Sequence, residues 1–313
     1  MKLKLLLTML FFTTLVFSQQ EFKKNATAGF VFLELPVTAR GAALGETSIT
    51  LSDVNSAGVF TNIAATGFSE LSHSFFASYS PWIADIKHMA SSYTFNTAIG
   101  VFGIGFIGVD YGSMPKTKKI AGQRVYEVIG SFDANALAIG LTYSRKLTDR
   151  FSFGVGVKYV KEGIDIYTVD NFLFDGGILY YTGLGSLRIA ATIQNFGVDA
   201  KYINDPFKMP ALLRLGLAGE IIGSENSDYR VTALVEALHP NDADEKLNTG
   251  LEIAWLEIVS LRLGYKFFYD EESYSIGFGV NPQLALLLTL DFSYSDYGRL
   301  GKISRFSLQL GVN

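Results

Sequence analysis

The sequence FSFGVGVKY at residues 151–159 alternates bulky apolar residues with small or polar ones, and VSLRLGYKF at residues 259–267 does the same. A period of two places one set of side chains on each face of a β-strand. One face is apolar, and the other carries glycine, serine, lysine and arginine. Because this pattern recurs from Arg150 to Val312, it predicts strands whose outer face meets lipid and whose inner face meets a polar lumen.

The number and spacing of such segments indicate a closed barrel. Between residues 70 and 312 they are separated by connections that are roughly alternately short and long, as periplasmic turns and extracellular loops are in bacterial barrels. We therefore predict an all-β fold, a membrane-spanning antiparallel up-and-down β-barrel of about 14 strands over residues 70–313. It would lie in the outer membrane, and the even strand count would leave both termini periplasmic.

One segment, residues 97–109, departs from the alternation because it is apolar on both faces. Two explanations stay open. Either a glycine bulge shifts the register there, or the inner face of this strand packs against a plug.

The first residues of the chain predict a secretory signal peptide. A basic start at residues 1–4 precedes an apolar run at residues 5–17, so residues 1–18 would be removed before folding. The chain has no cysteine, which excludes a lipid anchor on cysteine and a disulfide framework. The net charge of −4 argues against a nucleic-acid partner.

Residues 19–69 differ from the barrel region because they are rich in small residues and lack the ten-residue alternation. A short helix is predicted from Ala39 to Leu44, after Pro36. Phe30 and Phe32 would be exposed in a free tail, so we expect this partly helical segment to fold into the lumen as a hatch. The alternative is a periplasmic tail outside the barrel.

The predicted inner face carries charges of both signs on neighbouring strands. Such residues can form ion pairs across the strand ladder. They indicate either a salt-bridged filling that keeps the barrel closed or, less in keeping with the mixed signs, a selective channel wall. The inward set includes the uncharged Gln194 and the charged residues Lys158, Asp175, Arg188, Arg214, Glu220, Arg230, Glu236, Glu252, Arg262, Lys266 and Asp291.

Signals for catalysis, metal binding and cofactor binding are poor. The three histidines, His73, His88 and His239, show no metal-ligand spacing with cysteine. No Gly-x-Ser-x-Gly elbow leads from a strand into a helix, and the Gly-x-Gly pairs lie within strands. We predict a non-enzymatic barrel without a cofactor, although a membrane hydrolase that assembles serine and histidine from different strands is an open alternative.

The sequence FLELPVTARGAALGE at residues 32–46 resembles the N-terminal signature of the PorV/PorQ family. Residues 62–65 stand where that family reads Asn-Pro-Ala, with Ile63 in place of the proline. The family is similar in fold to the long-chain fatty-acid transporters, which are 14-stranded barrels with an N-terminal hatch. The matching hatch residues are Leu33, Pro36, Ala39, Arg40, Ala43, Leu44, Gly45 and Asn62.

The resemblance implies a role in type IX protein secretion. The barrel would bind the C-terminal domains of exported cargo proteins as they leave the translocon, and pass them to the cell-surface attachment complex. Cargo would contact the extracellular loops, where the candidates are Lys116, Lys118, Lys119, Arg124 and Tyr202. The alternative function is transport of hydrophobic small molecules such as long-chain fatty acids. It requires an apolar pocket beneath the loops and a lateral opening in the wall.

Overall fold

A computed structural model describes residues 27–122, 125–224, 227–282 and 284–313. The predicted signal peptide, residues 1–18, lies outside them. Fourteen strands close into one antiparallel barrel, so the predicted fold is confirmed. They are β1 (His73–Pro81), β2 (Lys87–Thr97), β3 (Gly100–Lys119), β4 (Tyr126–Thr148), β5 (Phe151–Ile164), β6 (Tyr167–Tyr181), β7 (Arg188–Phe196), β10 (Leu212–Ile222), β11 (Tyr229–Pro240), β12 (Lys246–Trp255), β13 (Val259–Phe267), β14 (Tyr274–Val280), β15 (Leu287–Asp296) and β16 (Lys302–Val312).

Neighbours in sequence pair around the wall, and β1 pairs with β16 to close it. The chain between β7 and β10 forms a small hairpin of its own from β8 (Ala200–Lys201) and β9 (Pro206–Phe207). We call the end of the barrel where β1 begins and β16 ends the near end, and the opposite end the far end. The β7–β10 connection therefore lies at the far end.

The two faces of the wall differ as the alternation predicts. In β10 the outward side chains of Leu213, Leu215 and Leu217 are exposed, while the intervening Arg214 and Ala218 are buried. The outer face is thus an apolar band, and the polar residues of the same strands point into the lumen.

Residues 110–132 lack the alternation and would be expected to form one of the long connections, but most of them are strand. β3 continues to Lys119 and β4 starts at Tyr126, with pairing from Ser113–Asp133 to Lys119–Tyr126. Gly112, Pro115 and a register shift after Asp110 break the alternation there, so the sequence pattern does not show the strand. Because β2 pairs with β3 only as far as Asp110, this hairpin extends beyond the barrel wall as a two-stranded arm.

The segment that precedes β1 lies inside the barrel. We call residues 27–72 the plug; residues 19–26 of the predicted hatch lie outside the described residues. The plug contains α1 (Ala39–Ala43), α2 (Ile63–Thr66) and 3₁₀ turns at Val31–Glu34 and Asn55–Val59. α1 packs on β13–β16, and α2 packs on β4–β6. In the described residues, no helix is long and apolar enough to cross a membrane.

Each plug helix begins at a polar cap. The Thr38 hydroxyl accepts a hydrogen bond from the Gly41 amide at 3.1 Å, and the Asn62 side-chain oxygen accepts one from the Ala64 amide at 3.0 Å. These bonds satisfy amides that the short helices cannot pair internally. The caps therefore allow two helices of one turn or slightly more to form within the lumen.

Glycines on the wall allow the plug to approach the strands closely. A Cβ added at Gly264 would lie 2.0 Å from the Gly45 amide nitrogen, and one at Gly105 would lie 2.7 Å from the Val59 side chain. The Gly105 contact explains the apolar inner face of residues 97–109. No register shift occurs in the pairing of β3 with β2, so contact with the plug is the correct explanation of the two.

We expect an arginine at the middle of the apolar band to destabilise the barrel in a bilayer. Leu217→Arg should lower the free energy of unfolding by about 2–4 kcal/mol, because the charge would be held in hydrocarbon. Ile222→Arg, at the near end of the same strand, should cost only about 0–1 kcal/mol. Urea unfolding in lipid vesicles measures both. Equal effects would contradict a membrane-spanning orientation of β10.

Candidate functional site

A continuous chain of ion pairs joins the plug to the wall. Arg40 of α1 donates from Nε and Nη2 to the two carboxylate oxygens of Glu252 at 2.9 and 2.7 Å, and its Nη1 lies 2.9 Å from Asp53. Glu252 also accepts from Arg262 at 2.6 Å, and Arg262 pairs with Asp291 at 2.6 Å. This cluster fixes α1 against β12, β13 and β15.

The other inward charges predicted from the sequence are also paired. Lys158 lies 2.8 Å from Asp175, Arg188 lies 2.8 Å from Glu220, and Arg214 lies 2.6 Å from Glu236. Arg230 pairs with Glu257 at 2.9 Å, and Lys266 pairs with Glu46 of the plug and with Glu272. The wall charges therefore act as a filling that is bound to the plug.

Sequence reasoning missed four acids of this network, namely Glu46, Asp53, Glu257 and Glu272. Glu46 and Asp53 belong to the plug, and Glu257 and Glu272 to connections between strands, so none follows the strand alternation that identified the wall residues. Glu46 does stand at the end of the quoted hatch motif. For the other three acids the sequence gives no signal.

The predicted hatch residues occupy three kinds of position. Ala39, Ala43 and Leu44 are buried against the wall, and Gly45 has a φ of 65° that a side chain would strain. Asn62 caps α2 and donates to the carbonyl of Ile49 at 2.8 Å. Of the remaining members, Arg40 belongs to the ion-pair cluster. Leu33 and Pro36 line a cavity.

This cavity lies between the plug and strands β3–β7 and β10, and its volume is about 100 Å³. Its apolar lining includes Leu33, Leu35, Val37 and Phe60 of the plug and Ile107 of the wall. Gly105, Ala138, Gly140 and Gly156 leave space on the wall side. A second cavity of about 250 Å³ lies nearer the near end, among the residues of the Arg40 cluster.

Three of the long polar side chains at this cavity are already engaged. Lys158 pairs with Asp175, Arg214 pairs with Glu236, and Gln194 donates to the Thr61 carbonyl at 3.0 Å. Glu34 also borders the cavity. It is exposed to water there, although protein surrounds the space. Desolvation, followed by repulsion from Asp242, raises the pKa of Glu34 to about 7.

The wall is irregular next to this cavity. The pairing of β6 with β7 shifts register between Phe174 and Gly176, and Asn195 has a φ of 59°. The amide of Asn195 donates to the Asp175 carboxylate at 2.7 Å, so the shift is held by a hydrogen bond. The outward rings of Phe174 and Phe196 flank it and are exposed.

The described residues predicted to contact cargo lie on two segments at the far end of the barrel. Lys116, Lys118 and Lys119 lie on the β3 arm, and Lys116 pairs with Asp165. Tyr202 belongs to the β7–β10 connection, where its ring stacks on Phe207 at 5.6 Å. Arg124 lies outside the described residues. Beyond Asp110 the outer edge of β3 lacks a pairing strand in the described structure, and lysines with Pro115 at such an edge oppose further strand pairing.

The histidines lie apart and form no catalytic set. His73 is bonded to the Tyr93 hydroxyl at 2.7 Å, His239 lies 3.1 Å from Glu245, and His88 is buried on β2. Among the residues with described positions, no hydrogen bond joins a histidine to a serine, and no group of three or more histidine or acidic residues could hold a metal.

Comparison with known proteins shows the fold. No protein-family model and no curated sequence matches the chain. The Ralstonia pickettii toluene transporter TbuX has a TM-score of 0.58 and 13% identity, covering 87% of this chain and 96% of its own. The Pseudomonas putida toluene transporter TodX has a TM-score of 0.57, 14% identity and coverage of 88% and 97%. A Pseudomonas aeruginosa FadL homologue has a TM-score of 0.54, 12% identity and coverage of 88% and 98%.

The fold is therefore that of FadL-like outer-membrane barrels. The predicted role in type IX secretion is wrong: solved structures that share this fold include hydrocarbon channels and a FadL homologue, and none of these four points to PorV/PorQ. The shared barrel and hatch explain the error, because the hatch motif that carried the resemblance lies in this common architecture. The alternative, transport of hydrophobic molecules, is the better supported.

We expect Arg40→Met to loosen the plug. The substitution leaves Asp53 without its ion-pair partner, and Glu252 keeps only one of its two arginine partners, Arg262. Breaking such a largely buried pair should cost roughly 3 kcal/mol. Hydrogen exchange by mass spectrometry at residues 39–43 measures the loss. Arg299→Met, which removes a cation that is 89% exposed, serves as the control and should change little. Unchanged exchange in Arg40→Met would refute the role of this cluster.

Glu34 makes the stability of the plug depend on pH. Because its pKa rises from 4.5 to about 7 on folding, the folded state favours the protonated carboxyl. This contribution is present below pH 4.5 and is lost as the pH rises through about 7. Glu34→Gln should therefore raise the thermal midpoint at pH 8 and change it little at pH 4. Glu127→Gln, on the exposed arm, is the control; equal shifts in both variants would contradict the assignment.

Proposed function

We propose that this protein is an outer-membrane channel for small, uncharged hydrophobic molecules, with the near end facing the periplasm. The observation that carries the proposal is the cavity between the plug and the wall, whose plug side is lined by apolar residues such as Leu33, Val37 and Phe60. Ligand sites of this class are concave and mostly apolar, with a few fixed polar groups. The outward apolar band supports the membrane setting, with lipid as the partner of the outer wall.

The size of the cavity favours a compact ligand. At about 100 Å³ it is of the order of a small ring and too small to enclose an extended acyl chain. Long-chain fatty acids, the ligands of the original alternative, would require the plug to move farther than a one-ring ligand would.

The charges around the cavity favour a neutral ligand. A carboxylate would need a free cation, but Lys158 and Arg214 are both bound by wall acids. Glu34 and Glu46 border the same space, and neither can supply the positive charge that an anion needs. An apolar molecule needs none of these groups and gains from contact with Leu33, Val37 and Phe60.

The structural neighbours agree with this substrate class. TbuX and TodX are described as toluene transporters, and CymD as a monoaromatic hydrocarbon channel with a TM-score of 0.58. Their identity to this chain is low, so they support the class through the fold alone. The register shift beside Asn195 supplies a candidate position at which a molecule leaves the cavity through the wall, between the exposed Phe174 and Phe196.

Uptake assays test the function. In cells that lack their own hydrocarbon channels, expression of the full chain should raise the uptake of labelled toluene and leave that of palmitate unchanged. Uptake of palmitate alone would refute the preference for neutral ligands, and uptake of neither would refute the channel.

Filling the cavity should block transport. A Cβ at Gly140 meets only Lys158 Cβ at 3.3 Å and backbone, so Gly140→Leu places its side chain in the cavity without a severe clash. We expect it to abolish most toluene uptake while the barrel still folds. Ile139→Leu, at the adjacent outward position, is the control and should transport normally. Full uptake by Gly140→Leu would place the route elsewhere.

A further inference from the structure

A buried cation on the inner wall has no acid to pair with. Arg305 of β16 is only 1% exposed, and its Nε and Nη2 lack hydrogen-bond partners among the described residues. Arg40 and Arg214 use the same two nitrogens to hold the carboxylates of Glu252 and Glu236. Arg305 therefore presents the same pair of donors, Nε and Nη2, that elsewhere in this barrel binds a carboxylate.

Other unpaired polar groups surround this guanidinium. Arg305 lies opposite Ser293 in the β15–β16 register, and His88 lies opposite Ser80 in the β1–β2 register. Ser80, which follows the Tyr79–Phe306 pair, is the β1 neighbour of Arg305. Both ring nitrogens of His88 and the hydroxyl of Ser293 are buried without a partner in the described structure. The unpaired groups of His88 on β2, Ser293 on β15 and Arg305 on β16 thus meet on the inner wall, where the intervening β1 residue is the small Ser80.

The nearest carboxylate on the plug does not neutralise this group. Glu46 interacts with Arg305 at longer range, but its carboxylate forms an ion pair with Lys266. An unpaired cation out of water is strongly unfavourable, whereas a cation with a hydrogen-bonded anion is tolerated. The site is therefore electrostatically built for an anion.

An aromatic pair covers the site from the far end. The Arg305 Cζ lies 5.7 Å from the centre of the Trp82 ring, and Trp82 packs edge-on against Tyr297 at 5.2 Å. Trp82 starts the β1–β2 connection, in which Ala84 and Asp85 have φ values of 58° and 61°. The cover thus belongs to two far-end connections and not to the paired strands.

We propose that Arg305, with His88 and Ser293, binds a small oxyanion beneath Trp82. The planar fork of Nε and Nη2 matches two oxygens of a carboxylate, sulfate or phosphate. The site lies on β2, β15 and β16, whereas the apolar cavity lies against β3–β7 and β10. The proposal therefore stands apart from hydrocarbon transport and survives if that function fails.

Trp82 provides the probe, because the chain has two tryptophans and Trp255 points outward from β12. In the full-length Trp255→Phe protein in detergent, sulfate and acetate are titrated separately at constant ionic strength, maintained with chloride. We expect a saturable change in Trp82 fluorescence. Arg305→Met should abolish it, and Arg305→Lys, which keeps the charge but loses the fork, should weaken binding at least about tenfold.

Arg299→Met changes net charge equally in a nearby exposed turn and should leave the titration unaltered. A response to acetate alone assigns the site to carboxylates, and a response to both ions assigns it to oxyanions in general; either supports the proposal. The absence of a saturable response overturns it, as does an undiminished response in Arg305→Met. Should Arg305→Met fail to fold, Arg305→Lys carries the same test, and undiminished binding there overturns the proposal.

Discussion

The requirement that every backbone amide and carbonyl in hydrocarbon be hydrogen-bonded governs this molecule. An open sheet would leave an unpaired edge in lipid, so β1 must pair with β16. A barrel of 14 strands encloses a lumen that wall side chains alone do not fill. The plug and its ion pairs follow from that width, because the inner face needs contacts that only another part of the chain can supply.

The plug is held in two chemically different ways. On the side of β12, β13 and β15, Arg40 connects it to Glu252 through paired charges. On the side of β3–β7, its apolar residues approach glycine and alanine positions of the wall and leave the cavity. Removing one partner of a buried ion pair is strongly destabilising, because it leaves an uncompensated charge. The charged side thus anchors the plug, and the apolar side is where a hydrophobic molecule can lodge with least rearrangement.

The success over the barrel and the error over secretion have different origins in the sequence. Alternation in sequences such as residues 151–159 predicts which side chains face inward, and the structure places Lys158, Arg214 and Glu252 there. The hatch motif, in contrast, reports only that a plug follows the FadL-like architecture. Leu33 and Pro36 line the cavity, but the other motif residues pack or anchor the plug, so the motif does not specify what the barrel transports.

By itself the sequence determined the barrel, its strand count and the direction of its side chains, because these follow from local periodicity and from the polarity of the two surroundings. Only the tertiary structure decided that Arg40 meets Glu252, 212 residues away, that β3 and β4 form an arm, and that the buried Arg305 has no ion pair with an acid among the described residues. These features depend on how the closed wall staggers its strands and where the plug then rests, and no local pattern encodes either.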